Sequence, residues 1–437
     1  MLSADINAAF DCSILGMGYI NPKARTGVFR AVEQTLLALL EQPKLNLHLV
    51  SFNNELSSWS SLGTKLYLQE HQIRSKQSEL VLGSSWEEVY LKYPVLMQKY
   101  VLENLQLFEI LRKAIVAMQI PFDKVANLSQ RHLPKIENWQ IYHSPYFPLP
   151  ENIKAANIPR ILTIYDLAPI LYPTLCSKRT VQQFNRIIAS IDIHRDWIVC
   201  ISEATKRDFC EYTGMSSDRV FVASLAASTR FQPIPPSDAA RQVLNHYNIA
   251  DAPYLLSLAT LEPRKNLKFL IRCFSKLILE NPSIDLQLVL VGISGWKNKG
   301  IFQEAKTRPE LAERIVFTGF LPDQDLSTIY SGALAFAYPS LYEGFGLPPL
   351  EAMRCGVPVI TSNVSSLPEV VGDAGIMIDP TDEEAMCQAI LNLVNSNTLR
   401  QSLAQRGLAR AEQFSWARCA EETSKVYQVS ISSQDRS

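Results

Sequence analysis

The chain has 437 residues, enough for two domains of ordinary size, and a formal net charge of -1 from 42 basic and 43 acidic residues. That balance gives no general attraction to nucleic acid or to an anionic membrane, so we expect no nucleic-acid partner. Hydrophobic residues make up 47% of the chain, which is typical of a globular protein with buried cores.

The eight cysteines are scattered, mostly within apolar patterns, and no Cys-x-x-Cys pair occurs. We interpret them as reduced core thiols, not as zinc ligands or disulfide partners. The first residues lack the features of a signal peptide, and no apolar run approaches the ~20 residues of a membrane span. The sequence therefore predicts a cytoplasmic protein. Peripheral contact with the inner face of the membrane stays open, through the amphipathic segments 28–40 and 100–118.

Apolar, β-branched segments alternate with segments of helical period, the pattern of parallel sheets covered by helices. The sequence thus predicts an α/β protein with two doubly wound parallel sheets. In the first half, strands are predicted at 47–52, 139–143, 160–165, 197–201 and 220–223, and helices at 28–40 and 181–192. In the second half, strands are predicted at 254–259, 286–291, 315–318, 333–338, 357–361 and 375–378, and helices at 267–279, 383–395 and 399–413.

A proline-rich segment, Phe231-Gln-Pro233-Ile-Pro235-Pro236-Ser237, separates the two halves. Prolines lack amide donors and favour an extended linker. We therefore expect one domain over 1–235 and a second over 236–414. The last residues, from 430 onward, are expected to be frayed.

Two carboxylates flank a turn with two glycines in the stretch Glu343-Gly-Phe-Gly-Leu-Pro-Pro-Leu-Glu351. A predicted buried strand precedes it and helix-start signals follow it, so the stretch lies at a strand-to-helix corner. Gly344 and Gly346 let the backbone approach a ligand, and the amides that open the helix favour an anion. Since carboxylates accept hydrogen bonds from sugar hydroxyls, the corner suits a phosphate flanked by hydroxyl-rich groups, as in a nucleotide sugar.

This stretch resembles the donor-site signature of the retaining nucleotide-sugar glycosyltransferases of family 4, in which two glutamates are separated by seven residues. Four more blocks repeat the family's pattern in order: Leu261-Glu-Pro-Arg264-Lys265-Asn266, Val316-Phe-Thr-Gly319-Phe-Leu-Pro, Gly356-Val-Pro-Val-Ile-Thr-Ser362 and Leu367-Pro-Glu369-Val-Val-Gly372-Asp-Ala. The resemblance implies the GT-B fold, with two facing Rossmann-like domains, a cleft between them, and a last helix over 415–430 that packs back on the first domain.

The resemblance also implies which residues bind the donor. Glu351 would hold the ribose hydroxyls, and Glu343 would lie near the transferred sugar. The implied donor-binding residues are Gly27, Arg264, Lys265, Glu343, Gly344, Phe345, Gly346, Leu347 and Glu351.

Arg264 and Lys265 would form an electrophilic clamp on the diphosphate, whose negative charge grows as the sugar leaves. With these cations available, we expect no metal and no other cofactor. No carboxylate nucleophile is expected, because the family retains configuration by same-face attack, in which a donor phosphate oxygen takes the acceptor's proton. The implied catalytic residues are His143, Asp166, Glu343, Arg264 and Lys265.

The first half contributes three further candidates. His143 closes a predicted strand and matches a family histidine that hydrogen-bonds the transferred sugar. Asp166 follows Tyr165 where relatives often carry His-Asp, and it either takes part in the site or caps the next segment. Gly27 occupies the family's glycine-containing loop near the donor phosphate, with Arg25 as a candidate phosphate contact.

Two other motifs are interpreted as structural. Asp323-Gln-Asp325 has the spacing of a metal-binding acidic pair, but it opens a predicted helix, where Asp323 would be the N-cap and Asp325 would complement the helix dipole. Gly16-Met-Gly18 matches only part of a dinucleotide fingerprint, and Pro22 blocks the helix that should follow.

The leading hypothesis is a retaining glycosyltransferase of polysaccharide biosynthesis. It would move a hexose or deoxyhexose from a nucleoside diphosphate, with a lean towards GDP-mannose, to a glycan, lipid-linked or small-molecule acceptor. The segment 53–131 matches the family pattern poorly and is expected to face the acceptor. Two alternatives stay open: a sugar-nucleotide epimerase of similar fold, and a non-catalytic carbohydrate-binding assembly subunit.

Overall fold

The structure, a computed structural model, describes residues 5–21, 25, 27–51, 58–73, 77–78 and 139–434. The amphipathic segment 100–118 and most of the segment predicted to face the acceptor lie outside these residues. In the part that is described, no helix is both long and apolar enough to cross a bilayer.

The first sheet is parallel throughout, with the strand order β3-β2-β1-β4-β5-β6-β7 in the described part of the chain. Its strands are β1 (Ile6–Asp11), β2 (Leu45–Val50), β3 (Gln77–Ser78), β4 (Ile141–Ser144), β5 (Arg160–Ile164), β6 (Trp197–Cys200) and β7 (Val220–Val222). The winding direction reverses between β1 and β4, so the carboxyl edge there is the expected place for a ligand.

Helices cover this sheet on its two faces. They are α1 (Ser13–Ile20), α2 (Gly27–Leu40), α3 (Ser58–Glu70), α4 (Glu151–Ala155), α5 (Ala168–Leu171), α6 (Lys178–Ala189) and α7 (Glu203–Thr213). Short 3-10 turns occur at Pro173–Leu175 and Ser217–Arg219. The strands between the helices are almost entirely buried, which explains their continuous apolar sequences.

The second sheet repeats this plan with the order β10-β9-β8-β11-β12-β13, again parallel throughout. Its strands are β8 (Tyr254–Leu258), β9 (Gln287–Val291), β10 (Ile315–Gly319), β11 (Ala335–Tyr338), β12 (Val359–Ser362) and β13 (Gly375–Ile378). Its helices are α8 (Asp238–His246), α9 (Leu267–Glu280), α10 (Lys299–Ala305), α11 (Asp323–Ser331), α12 (Leu347–Arg354), α13 (Leu367–Val371), α14 (Glu383–Asn395) and α15 (Asn397–Ala411). Short 3-10 turns lie at Pro263–Lys265, Pro309–Arg314 and Gly372–Ala374.

Each strand and helix that the sequence predicts in these two sheets has a counterpart, with its ends shifted by at most three residues. The predicted α/β class with two doubly wound parallel sheets is thereby confirmed. The proposed domain limits at 235 and 414 stay a prediction.

The last helix, α16 (Trp416–Gln434), returns to the first sheet, where it contacts α2, β1, β6 and β7. The expectation of fraying from residue 430 is wrong. Tyr427 and Ser430 are buried on this surface, and the burial keeps the chain helical through Gln434.

β1 and α1, at the start of the chain, have no counterpart among the elements predicted from the sequence. Two alanines give β1 a weak apolar signal, although Phe10 is fully buried. The glycines of the partial fingerprint lie inside α1, where they permit close packing: a Cβ on Gly18 would lie 2.2 Å from a ring carbon of Phe29. These glycines therefore form a helix contact, not a phosphate-binding loop.

Candidate active site

A cavity of about 380 Å³ opens where the carboxyl ends of the two sheets meet. On the first-sheet side it is lined by Gly27, Val28, Arg30, Tyr165, Asp166, Ile201 and Leu225. On the second-sheet side it is lined by Leu258, Ala259, Thr260, Glu262, Arg264, Lys265, Tyr338, Glu343, Gly344, Phe345, Gly346, Leu347, Pro348 and Glu351. The structure therefore brings together every implied donor-binding residue.

The corner between β11 and α12 lies at the centre of this cavity. Gly346 has φ +124°, a conformation that strongly favours glycine, and α12 begins directly after it with two prolines near its first turn. At Gly344 the two halves of the chain touch, since a Cβ there would lie only 1.7 Å from the carbonyl oxygen of Tyr165. Glycine is required at this position because of space, as the backbone of the first half occupies the volume of a side chain.

Glu343 lies at the centre of a buried ionic cluster. Its carboxylate accepts hydrogen bonds from Lys265 Nζ at 2.5 Å, Arg264 Nη1 at 3.0 Å and Ser340 Oγ at 2.6 Å. Burial alone would raise the pKa of Glu343, but the ammonium of Lys265 and the guanidinium of Arg264 outweigh it and hold the pKa at about 2. Glu343 is therefore ionised at any physiological pH.

The two cations of this cluster come from the 3-10 turn that follows β8. Arg264 Nη2 also donates to Glu262 Oε1 at 3.0 Å, and Lys265 Nζ donates to the Tyr338 hydroxyl at 2.8 Å. Burial would lower the pKa of Arg264, but Glu343 and the other nearby acids raise it above its usual range. Burial and the neighbouring Arg264 lower the pKa of Lys265, and Glu343 opposes that shift. Both side chains thus line the cavity with carboxylate partners.

Glu351 has a different environment from Glu343. It is buried one turn into α12, and its Oε2 accepts a hydrogen bond from the Tyr330 hydroxyl at 2.9 Å. Burial raises the pKa of Glu351 to about 7, although Arg30 and the Tyr330 hydrogen bond oppose the rise. This carboxyl therefore changes its charge near neutral pH.

Asp166 was expected either to take part in the site or to cap the next segment, and its position suits both roles. It lines the cavity, and its Oδ1 accepts a hydrogen bond from the amide of Ala168 at 3.0 Å at the start of α5. Arg25, by contrast, does not line the cavity. Its Nε donates to the carbonyl oxygen of Gly18 at 3.0 Å, and its guanidinium lies over the ring of Phe29.

His143 lies away from the cavity, and the predicted contact with the transferred sugar does not fit its position. The side chain is 1% exposed, its Nδ1 lies 2.7 Å from the Tyr427 hydroxyl, and its Nε2 lies 2.8 Å from Thr163 Oγ1. Both ring nitrogens are thus occupied by protein partners. Burial lowers the pKa of His143 to about 3, so the ring is neutral and links the first sheet to α16.

Asp323 is not the N-cap that the sequence suggested. It is the first residue of α11, after Pro322 at the cap position, and its carboxylate forms ion pairs with Arg30 and Arg230. Asp325 accepts a hydrogen bond from the Tyr247 hydroxyl at 2.6 Å. Both carboxylates are thus occupied by protein donors, which supports a structural interpretation of the pair.

Several residues of the site carry no signal of their role in the sequence. Arg30 is the basic residue of α2, but no local pattern shows that its side chain reaches the cavity. Tyr338 ends a predicted strand, Ser340 follows that strand, and Tyr330 lies beyond the acidic pair Asp323 and Asp325. Their hydrogen bonds to the site residues depend on the folded corner, so spacing alone could not identify them.

A second cavity, of about 400 Å³, lies at the amino edge of the first sheet. It is lined by residues that include Arg160 and Asp196, whose buried side chains form an ion pair with Arg160 Nη2 2.6 Å from Asp196 Oδ2. None of the implied site residues lines it. The implied donor-binding residues line the cavity between the sheets instead.

Comparisons with known proteins agree with this location. Residues 241–410, which carry the Glu343 cluster and Glu351, match the family described as "Glycosyl transferases group 1". The chain is 36% identical over 291 residues to O-antigen chain mannosyltransferase B of Escherichia coli, covering 66% of this chain and 74% of that protein. It is 34% identical over 274 residues to the serotype-specific mannosyltransferase WbdA of Escherichia coli, covering 62% of this chain and 33% of that longer protein.

The fold has solved counterparts. A glycosyltransferase from Rickettsia africae ESF-5 superposes with a TM-score of 0.62 at 14% sequence identity, covering 98% of this chain and 99% of that one. This likeness supports the fold alone, namely the GT-B arrangement of two Rossmann-like units. Together with the sequence matches, it shows that the chain is a glycosyltransferase that belongs to the glycosyl transferases group 1 family.

Proposed function

We propose that this glycosyltransferase moves mannose from GDP-mannose to a glycan acceptor with retention of the anomeric configuration. The buried cluster of Glu343, Arg264 and Lys265 beside the amides of α12 is the observation that carries the proposal. It combines an anion site with fixed cations, which is the chemistry needed to bind a sugar diphosphate and stabilise it as a leaving group. The choice of mannose as the transferred sugar is supported by the two mannosyltransferase relatives.

In this proposal each residue has a defined task. Arg264 and Lys265 attract the diphosphate most strongly in the transition state, because negative charge then develops on its oxygens. Glu343 holds both cations in position and accepts a hydroxyl of the sugar, while ionised Glu351 accepts the ribose hydroxyls. Asp166, which lines the opposite wall, faces the reacting groups from the first sheet.

Retention by same-face attack is supported by the state of Glu343. Its carboxylate is committed to two cations and a hydroxyl, so it is a poor nucleophile. The acceptor hydroxyl would instead lose its proton to a phosphate oxygen of the donor as the bond from the anomeric carbon to the diphosphate breaks. No metal is required in this scheme, since the two cations supply the positive charge.

The acceptor belongs to the same proposal. One of the relatives is named as an O-antigen chain mannosyltransferase, which supports a carbohydrate acceptor, free or lipid-linked. With a lipid-linked acceptor the enzyme would work at the inner face of the membrane as a peripheral protein. Sedimentation with anionic lipid vesicles measures that contact directly.

The first experiment measures nucleotide release and sugar transfer with GDP-mannose, UDP-glucose and a dTDP-deoxysugar in excess chelator. We expect turnover of GDP-mannose only, lost in Glu343→Ala and Lys265→Ala. Turnover of another donor would overturn the mannose assignment, and a strict need for added metal would overturn the cationic clamp. An epimerised donor without transfer would favour an epimerase, whereas nucleotide binding without turnover on any glycan would favour an assembly subunit.

A further inference from the structure

Arg30 is a cation of the donor cavity that belongs to the opposite half of the chain from Arg264 and Lys265. It lies on α2, in the first turn after Gly27, and lines the cavity together with Leu347 and Glu351. Its side chain is 34% exposed, so a ligand in the cavity can reach it. It is therefore the basic residue with which α2 faces the start of α12.

Asp323 of α11 holds the Arg30 guanidinium in place. Arg30 Nη2 donates to Asp323 Oδ1, and Arg230 Nη1 donates to the other oxygen, Oδ2, at 2.5 Å. One carboxylate thus serves two guanidinium groups, and it cannot neutralise both. Asp323 therefore leaves one positive charge of the two arginines for the other acid beside them, Glu351, or for a ligand in the cavity.

The N–H groups that are not already used in bonds to the protein favour Arg30, over Arg264 and Lys265, as a ligand contact. All three guanidinium nitrogens of Arg264 already donate to protein oxygens, on Glu262, Tyr342 and Glu343. Lys265 Nζ already donates to Tyr338 and Glu343. For Arg30, in contrast, Nε and Nη1 have no acceptor among the residues that the structure describes, so most of its donors are available.

Charge in the cavity leads to the same conclusion. The acidic lining residues Asp166, Glu262, Glu343 and Glu351 face the basic residues Arg30, Arg264 and Lys265. A diphosphate that enters such a site needs each available cation to offset the acids already present. Without Arg30, the wall formed by the first half would offer no basic side chain among the described lining residues.

We propose that Arg30 is a donor-binding residue whose guanidinium contacts the diphosphate of the bound nucleotide sugar from the first-sheet side of the cleft. The inference rests on the proposed function for the donor class. Arg30 would complete the clamp formed by Arg264 and Lys265, so that the diphosphate is held from both halves. Asp323 pre-positions the guanidinium at low entropic cost.

Arg230 provides a matched control, because it pairs with the same carboxylate but does not line the donor cavity. The experiment measures the dissociation constants of GDP, UDP and dTDP, and of the nucleoside of whichever binds, for the wild type, Arg30→Gln, Arg30→Lys and Arg230→Gln. Melting temperatures of the four proteins report any damage to the fold.

We expect Arg30→Gln to weaken nucleoside diphosphate binding by at least about tenfold, with the nucleoside affinity changed less than about twofold. Arg30→Lys should recover part of the affinity, and Arg230→Gln should stay within about twofold of the wild type. The inference is overturned by unchanged diphosphate binding in Arg30→Gln, by an equal loss for the nucleoside, or by an equal loss in Arg230→Gln. A wild type that binds none of these nucleotides would instead reject the proposed function itself.

Discussion

The two glutamates of the donor corner differ in charge state because their neighbours differ. Glu343 is surrounded by Lys265, Arg264 and Ser340, and its pKa is held at about 2. Glu351 has the Tyr330 hydroxyl as its hydrogen-bond donor, and burial raises its pKa to about 7. Only seven residues of sequence therefore separate a permanent anion from a group that titrates near neutral pH.

The raised pKa of Glu351 predicts that donor affinity depends on pH. Only the ionised carboxylate accepts two ribose hydroxyls, so GDP-mannose should bind roughly tenfold more tightly at pH 8 than at pH 6. Arg30, Arg230 and Asp323 also act electrostatically on this carboxyl. Isothermal titration of GDP-mannose across pH measures the effect, and Glu351→Gln should give a weaker, flat profile. An equally steep profile in Glu351→Gln would assign the titration to another group.

The raised pKa of Glu351 also makes the free energy of unfolding depend on pH when no ligand is bound. The folded protein binds the Glu351 proton more tightly than the unfolded chain does, since the folded pKa lies above the usual 4.5. The contribution of this group to folding is therefore present at low pH and is lost as pH rises from 4.5 through about 7. Donor binding, by contrast, uses the ionised form of Glu351, which burial in the folded protein disfavours.

Loss of Lys265 should slow the chemical step. The ammonium stabilises charge that develops on the diphosphate, so Lys265→Ala should lower kcat by roughly 10²-fold or more, by analogy with removal of one oxyanion-stabilising donor. Lys268→Ala is the control, because Lys268 is exposed and pairs with Glu304 away from the cavity. Steady-state kinetics of mannose transfer give both values. A fall in kcat of similar size in Lys268→Ala would contradict the assignment to the clamp.

At the scale of elements, the corner between β11 and α12 and the return of α16 decide where the site residues lie. The corner places Glu343 before the helix and Glu351 within it, so that both face the same cavity. Helix α16 has no residue in that cavity lining, but it covers the first sheet beneath it. Tyr427 of α16 reaches His143 of β4, which joins the last helix to a central strand.

The neutral, buried His143 predicts a loss of stability in mild acid. Its folded pKa of about 3 lies below the unfolded value of about 6.5, so the unfolded chain takes up a proton first and stability falls as pH drops below 6.5. Between pH 7 and pH 5 this group should remove about 2 kcal/mol from the free energy of unfolding. Urea unfolding at both pH values tests it, with His143→Gln losing less than the wild type over this interval.

The kinetics of His143→Gln distinguish a structural role of His143 from a catalytic role. Since His143 does not line the donor cavity, His143→Gln should keep a kcat close to that of the wild type at pH 7. A large loss of kcat in a folded variant would instead support the contact between His143 and the transferred sugar that the sequence suggested.

At the scale of the whole molecule, polar contacts near the cavity add to the apolar packing that joins the two halves of the chain. Glu369 of α13 accepts hydrogen bonds from the amides of Glu203 and Ala204 at the start of α7, at 2.9 and 3.2 Å. Thr205 Oγ1 donates to the carbonyl oxygen of Gly344 at 3.1 Å. These contacts join the two halves of the chain beside the cavity.

A side chain at Gly344 should force the halves apart. In Gly344→Ala the new Cβ would overlap the Tyr165 carbonyl oxygen, so we expect transfer to fall by at least about tenfold, while faster hydrogen exchange appears at Glu203 and Ala204. Gly300→Ala, where a Cβ meets nothing within 4 Å, should change neither measurement. Unchanged transfer in Gly344→Ala would show that the close approach is not needed for catalysis.

The sequence by itself determined the α/β class, the strand-to-helix corner and the clamp. Periodicity and motif spacing are local properties. Glu343, Arg264 and Lys265 follow strands whose apolar pattern is readable, and Glu351 lies in the helix after the same corner as Glu343. The function class followed from these motifs because their order along the chain resembled that of a known family.

Only the tertiary structure decided which groups are partners. Asp323 pairs with Arg30, 293 residues away, and His143 with Tyr427, 284 residues away, so no local pattern could place either contact. The same side chains could have served as a helix cap or a sugar ligand on chemical grounds. The approach of Arg30 on α2 to Asp323 on α11 and the packing of α16 against the first sheet selected among these roles, because a buried polar group is stable only beside the partner that the fold supplies.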